Sequence, residues 1–249
     1  MSQLDPALWA AIQKHRRIFV DIAIIAFVLG IIAAASFLGL VGVVVGWWAW
    51  HPTTVAFALY VLTCMVGFHM SEFLVAALYR PHDTHPKAFM IYHSPAFMIA
   101  TAAALVEFFV EAWLVPAGWK LFVTNVSFTI VAALAVSAFY GVRVLAMVQC
   151  GSNFSLEIET THRKDHSLVT SGVFGYFRHP SYFGWFWRTV LSQVLLMNPI
   201  CLVGFTFVTW KFFVQRIEEE EQILSSEEFF GEKYVAFKKS VGTGIPFIA

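Results

Sequence analysis

The sequence predicts an all-α protein of membrane-spanning helices. Of 249 residues, 59% are hydrophobic and 17% aromatic, and only 13% are charged, where a soluble domain carries roughly 25%. The mean hydropathy is +0.70. A soluble core for a chain of this length could not hide so much apolar surface. Sixteen basic and sixteen acidic side chains cancel, so no global field exists to recruit nucleic acid.

The first apolar run, 18–50, outlasts the roughly 7–15 residues of a signal-peptide core. Lys14-His-Arg-Arg17 precedes it and favours a cytosolic N-terminus by the positive-inside rule. The run also exceeds the roughly 20 residues that cross a bilayer. It reads as one steeply tilted helix or as a tight hairpin turning at Gly39 and Gly42. A second span follows His51-Pro52, over 55–79. Arg80-Pro-His-Asp-Thr-His-Pro-Lys87 then forms a polar loop, because two prolines, three charges and two histidines do not sit in hydrocarbon. The next apolar region covers 89–114 and is interrupted at Pro95. After Pro116-Ala-Gly118, another span covers 121–148. The last region, 182–214, has Asn198-Pro199 at its centre, which breaks a helix and favours a turn. It reads as a helical hairpin.

With that hairpin, the polar block 150–181 and the tail after Arg216 share one side. Arg163, Lys164, Arg178, Lys233, Lys238 and Lys239 make it the cytosolic side. Six to eight transmembrane helices fit, all in one membrane domain, 1–249. Residues 1–149 are mainly transmembrane, and 150–249 hold the polar elements.

Within the spans, His69 and Glu72 share a helix face, as do Glu107 and Glu111. Ionisable groups there, Arg143 included, face the bundle interior and have partners. Glu107 and Glu111 read as interhelical glue; His69 and Glu72 suit glue or a lined cavity equally. Cys64, Cys150 and Cys201 are too scattered for a disulfide framework or a metal site. His162 and His166 stand four apart, a spacing that can present two imidazoles to one ion. The chain has no His-His pair, and His82 and His85 sit in a separate loop, so no metal site is expected.

The stretch His166–Gly184 is the most informative. Leu168-Val-Thr-Ser-Gly172 reads as an extended piece ending in a glycine turn. Arg178-His-Pro-Ser-Tyr182 stops at proline and starts a helix, whose first amides at Ser181, Tyr182 and Phe183 suit an anionic group. Arg178 and His179 add donors for a carboxylate or phosphate, or anchor the helix at lipid head groups. Arg216-Ile-Glu-Glu-Glu-Glu221 forms a second polar block. At least two of its glutamates should be solvated, and Glu221 is assigned to that face. Phe229, Phe230, Tyr234 and Phe237 form an amphipathic pattern that would close a pocket or lie on the surface.

His166-Ser-Leu-Val-Thr-Ser-Gly172, Arg178-His-Pro-Ser-Tyr182 with Gly184, and Arg216 followed by Glu218–Glu221 resemble the isoprenylcysteine carboxyl methyltransferases. Gly151-Ser-Asn-Phe154, Asn198-Pro-Ile-Cys201, Phe230-Gly-Glu-Lys-Tyr234 and His69-Met-Ser-Glu-Phe73 extend the likeness over most of the chain. The Arg-His-Pro-x-Tyr-x-Gly element alone also occurs in membrane sterol reductases; the ordered combination is specific. Glu159 departs from an expected glutamine, and Phe174 from an aromatic hydroxyl.

The resemblance implies an endoplasmic reticulum membrane enzyme with both termini and its active site facing the cytosol. It implies S-adenosyl-L-methionine as cofactor, leaving as S-adenosyl-L-homocysteine. The acceptor would be the α-carboxylate of a C-terminal farnesyl- or geranylgeranyl-cysteine on processed CaaX proteins, small-GTPase-like and lamin-like clients. Carried over, the cofactor residues are Glu159, His166, Ser167, Leu168, Val169, Phe174, His179, Pro180, Ser181, Tyr182 and Glu220. Arg216 matches the substrate-contacting, catalytic arginine, and no metal is implied. The alternatives are an NADPH-dependent membrane sterol reductase and a non-catalytic prenyl- or sterol-binding membrane protein. A reductase should show basic residues for a 2′-phosphate, where Glu218–Glu221 is acidic.

Overall fold

The structure, a computed structural model, describes residues 6–47, 52–80, 84–114, 120, 125–162 and 166–248, with backbone alone for 6–14 and 52. Helix α1 (Pro6–Val44) is a single rod of 39 residues, about 58 Å at 1.5 Å per residue. The hairpin alternative is not realised: Gly39 and Gly42 lie inside the helix. Almost all of α1 faces outward, with Phe19, Phe27 and Phe37 exposed and Leu29 buried, as suits a helix bathed in lipid.

The second rod is continuous but not uniform. Helix α2 (Pro52–Tyr60) passes through a π-helical stretch, Val61–Gly67, into α3 (Phe68–Tyr79). A π turn widens the ladder and turns carbonyls outward. The Cys64 carbonyl accepts a 2.6 Å hydrogen bond from Arg188 Nη2 on a later helix. Helix α4 (Pro95–Leu114) starts at the predicted proline, with Ser94 Oγ accepting from the Phe97 amide at 3.2 Å. Pro at the first turn costs no hydrogen bond. Helix α5 (Val126–Cys150) is capped by Asn125 Oδ1, 2.7 Å from the Phe128 amide. Residues 116–118, expected to begin this unit, lie outside the described residues.

Helices α6 (Pro180–Leu196) and α7 (Pro199–Leu224) form an antiparallel pair around Met197 and Asn198. Met197 is left-handed, φ 54°. The turn is held from α4. Glu107 accepts from the Ile200 and Cys201 amides, both at 2.7 Å, and Asn198 Nδ2 donates to the Ala104 carbonyl at 2.8 Å. Buried Lys120 pairs with Glu111 at 3.0 Å and donates to the Leu196 carbonyl at 3.3 Å. Glu107 and Glu111 are thus interhelical glue. Helix α8 (Glu232–Ser240) and residues 241–248 strap across the pair. Trp187 Nε1 donates to the Gly244 carbonyl and Trp210 Nε1 to the Pro246 carbonyl.

Five of the helical segments among the described residues are long and apolar enough to cross a membrane: His15–Val44, Thr53–Tyr79, Pro95–Leu114, Val126–Asn153 and Pro199–Leu224. The 17-residue α6 makes a sixth long segment, buried among the others. It packs most extensively on α5, and Gly184 permits this. A Cβ there would stand 2.6 Å from the Phe139 carbonyl oxygen and 2.8 Å from the Arg143 amide nitrogen. Gly184→Ala should therefore force α5 and α6 apart, at a cost of about 1–3 kcal/mol for an overpacked contact. Thermal unfolding in detergent checks this; an unchanged midpoint would mean the crossing yields freely.

Candidate functional site

The site forms where α5 ends, α6 begins and α7 leaves the apolar region. Asn153, just past α5, pins the following loop: its Oδ1 accepts from the Ser167 amide at 3.0 Å, and its carbonyl lies 3.4 Å from His166 Nε2. Gln149 Oε1 accepts from the Val173 amide at 2.9 Å and holds the turn at Gly172, φ 63°. A side chain at Gly172 would collide with Gln149. Leu168–Ser171 carries no regular structure before this turn, and Gly172–Gly175 is a 3₁₀ turn.

These loops and the helix ends enclose a cleft with about 910 Å³ of empty space, its open mouth included. Every residue carried over to the cofactor lines it: Glu159, His166, Ser167, Leu168, Val169, Phe174, His179, Pro180, Ser181, Tyr182 and Glu220. Phe229, Phe230, Tyr234 and Phe237 also line it, so the C-terminal aromatic pattern closes the cleft. His162 and His166 pack against Phe229 and Phe230, with ring centroids 5.4–6.2 Å apart. No group of three or more His, Cys, Asp or Glu residues among the described residues is arranged to hold a metal ion.

Glu221 overturns its assignment to the solvated face. It is 5% exposed. Its Oε1 accepts from Arg178 Nε at 2.5 Å and His179 Nε2 at 3.0 Å, and its Oε2 from Lys238 Nζ at 2.6 Å. The Tyr234 hydroxyl adds a 3.4 Å bond to Oε1. Burial, then the Glu221 charge, pushes the Tyr234 phenol up, so it stays a neutral donor. Arg178 also donates to the Val241 carbonyl at 3.0 Å. Arg178 and His179 therefore spend donors on Glu221, and neither anchors the helix at lipid. Of the three amides expected to meet an anion, that of Phe183 already donates to the His179 carbonyl at 2.9 Å. Glu218 and Glu219 are exposed.

Arg216 does not line the cleft. It stands behind it, donating from Nε to the Tyr182 hydroxyl at 3.2 Å and from Nη2 to the Leu156 carbonyl at 2.7 Å. The sequence reading gave Arg143 no role at the site, although an arginine inside a span is a functional signal in itself. Arg143 Nε and Nη2 clasp Glu72 at 2.6 and 2.9 Å, and Nη1 donates to Ser181 Oγ at 2.5 Å. Glu72 and Arg143 thus bind α3 and α5 to the start of α6. His69 Nδ1, one turn away, meets the Phe89 carbonyl at 2.7 Å.

A second, larger cavity opens between α4, α6 and α7, with about 1340 Å³ of empty space including its mouth. Phe97, Trp185, Phe205, Val208, Phe212 and Phe213 make much of its wall. It approaches the cleft through ring contacts: Tyr182, on the cleft, lies 5.1 Å from Phe213 in a tilted pair, and Trp185 meets Phe213 edge-on at 6.3 Å. The cleft and the apolar cavity thus abut, with Tyr182 on one side of the contact and Phe213 on the other.

A model of the isoprenylcysteine carboxyl methyltransferase (ICMT) family matches residues 129–226, from α5 to just past α7. The protein-S-isoprenylcysteine O-methyltransferase of Dictyostelium discoideum is 42% identical over 194 residues, 77% of this chain and 78% of that protein. The chain belongs to the isoprenylcysteine carboxyl methyltransferase family. The enzyme of the same name from Saccharomyces cerevisiae is 40% identical over 73% of this chain and 76% of its own length. For the human one the figures are 40%, 73% and 62%. A solved structure of the eukaryotic intramembrane Ras methyltransferase ICMT matches with a TM-score of 0.76 and 34% identity, covering 95% of this chain and 86% of that one. The all-α, polytopic membrane architecture expected from sequence holds, and the comparisons support the methyltransferase over both alternatives. As a methyltransferase of this family the chain takes a methyl donor.

Removing Glu221 would leave Arg178 buried without its partner, a defect worth about 3–5 kcal/mol. Glu221→Ala should unfold at markedly lower temperature and lose the cleft, whereas exposed Glu219→Ala should be nearly silent. Equal midpoints for the two variants would return Glu221 to the solvated face.

Proposed function

We propose that this protein methylates the C-terminal α-carboxylate of farnesyl- or geranylgeranyl-cysteine on processed CaaX proteins, with S-adenosyl-L-methionine as the donor. The observation that carries this is the meeting of the two cavities across the contact of Tyr182 with Phe213. A prenylcysteine needs such a junction, because its tail prefers hydrocarbon and its carboxylate prefers a polar site. Each buried CH₂ contributes about 0.8 kcal/mol, so the tail stays at membrane depth.

The cleft suits the donor. Glu220 Oε2 and His166 Nδ1 are buried there without a hydrogen-bond partner; Glu220 Oε2 lies 3.7 Å from His179 Nδ1. A ligand with hydroxyl, amine and cationic groups would satisfy both, and Glu159 and Glu220 suit its positive charge. Leu168, Val169, Phe174, Phe229 and Phe230 offer apolar surface for a flat ring system. When bound, S-adenosyl-L-methionine supplies an electrophilic methyl carbon, so that an O–C bond forms, the S⁺–C bond breaks and S-adenosyl-L-homocysteine leaves.

The acceptor requires no general base. A terminal carboxylate has a reference pKa of about 3.3–3.7 and is ionised near neutral pH. The protein's task is alignment and exclusion of water. Arg216 is assigned to the substrate carboxylate, a role its two-pronged guanidinium suits. It already touches Tyr182, which lines the cleft. Residues 150–249 are the catalytic region, on a scaffold from 1–149 that contributes Glu72 and Arg143. The protein sits in the endoplasmic reticulum membrane with its polar end facing the cytosol, as its basic residues favour. The clients are small-GTPase-like and lamin-like.

S-Adenosyl-L-homocysteine should raise the unfolding midpoint in detergent by mass action, and NADPH should not. Stabilisation by NADPH alone would contradict the donor assignment. Arg216→Ala should lose a charge-assisted contact of about 1.5–3 kcal/mol and slow methylation roughly ten- to hundredfold at sub-saturating acceptor. Affinity for S-adenosyl-L-homocysteine should change far less, and Arg216→Lys should recover only part of the rate. Wild-type turnover by a folded Arg216→Ala would make the arginine a mere edge anchor.

A further inference from the structure

A third cavity opens beside the other two, with about 680 Å³ of empty space including its mouth. It lies between the end of α3 and the loop after α5. Phe154 is common to it and to the donor cleft. Leu156, on its wall, offers the carbonyl that Arg216 Nη2 grips at 2.7 Å. Glu72, clasped by Arg143, stands at its inner end. The cavity therefore starts beside the residues assigned to the reacting carboxylate. Its other end is basic: Arg80, His85 and Lys87 line it, and His85 and Lys87 are exposed.

The Cα of a C-terminal prenylcysteine carries three large substituents. The carboxylate belongs at the donor cleft and the thioether tail in the apolar cavity. The third, the amide nitrogen, leads back to the client's chain, which must reach water. It cannot follow the tail, because peptide groups without partners are costly in hydrocarbon. A third exit with polar residues at its mouth is therefore required. We infer that this cavity receives the peptide segment immediately preceding the prenylcysteine, and that Arg80, His85 and Lys87 favour acidic side chains in it. The inference rests on the proposed methyltransferase function.

The test compares three acceptors in detergent with neutral lipid and again with anionic lipid added: N-acetyl-S-farnesylcysteine, and farnesylcysteine peptides with two glutamates or two lysines just before the cysteine. With the unaltered protein, kcat/KM for the glutamate peptide should exceed that for the lysine peptide by about three- to tenfold at low salt, narrowing as salt screens the rim. Lys87→Glu, at an exposed position where folding is not at stake, should erase or invert that ratio. Ala76→Trp, on the cavity wall, should raise KM for both peptides more than for the minimal acceptor. Equal turnover of the two peptides, or a preference that survives Lys87→Glu, overturns the subsite. So does a charge dependence that follows anionic lipid rather than peptide, which would assign the rim to the membrane surface. If the unaltered protein fails to methylate even the minimal acceptor, the failure lies with the methyltransferase reading instead.

Discussion

The ion pair between Glu72 and Arg143 is the constraint on which the rest of the site depends. Glu72 is 3% exposed and Arg143 1%, so both charges are buried within the fold. A charge so placed is tolerated only when its partner and its remaining donors are all satisfied. Here each guanidinium nitrogen has an acceptor, two of them the carboxylate oxygens of Glu72 and the third Ser181 Oγ, and the group lies 4.4 Å from the centre of the Trp185 ring. The four groups come from α3, α5 and α6, so satisfying the pair fixes three helices at once. They also touch all three cavities: Ser181 lines the donor cleft, Trp185 the apolar cavity and Glu72 the third. The geometry at the junction is thereby set by electrostatics that a bilayer does not let relax.

The same demand recurs at the far end of the helical hairpin. Glu107 supplies from α4 the cap that Asn198 does not give its own helix. Arg188 meets it in part: Nη2 donates to the Cys64 carbonyl in the π stretch and the guanidinium lies 4.1 Å from the centre of the Phe68 ring, while its buried Nε has no hydrogen-bond partner among the described residues. At the polar end, Glu221 gathers Arg178, His179, Lys238 and Tyr234. Helix α6 is held at both ends and along its length. Its first turn, which carries Pro180, Ser181 and Tyr182, is therefore rigid where positioning matters.

What the sequence made legible follows the same physics. Spans and their breaks stand out because lipid demands long apolar helices and proline marks their starts, as at Pro95, Pro180 and Pro199. The set of residues that share the donor cleft came from ordered motifs, and all of them line one space. The fate of the glutamate run was not legible. Successive helical residues turn by about 100°, so four in a row cover every face, and periodicity cannot say which is buried. Glu218 and Glu219 meet solvent, Glu220 the cleft and Glu221 the core. Nor could glycine decide between one helix and two at the N-terminus, since membrane helices accept glycine freely. The π stretch left no local signal, and Arg143 signalled by its place in a span that it has a partner but not which one, because the groups they meet lie more than sixty residues away.

The arrangement divides the labour between two solvents. A carboxylate that is ionised in water and poorly solvated at the membrane edge is a better nucleophile once an arginine orients it and water is excluded. The tail must stay in hydrocarbon throughout, so the reacting atoms can rise only as far as the tail allows. Methylation cancels the acceptor's negative charge, so an arginine in the role proposed for Arg216 would hold the ester less tightly than the carboxylate. Such an arginine would align the reactant and release the product, and the tail would then be free to return to the bilayer.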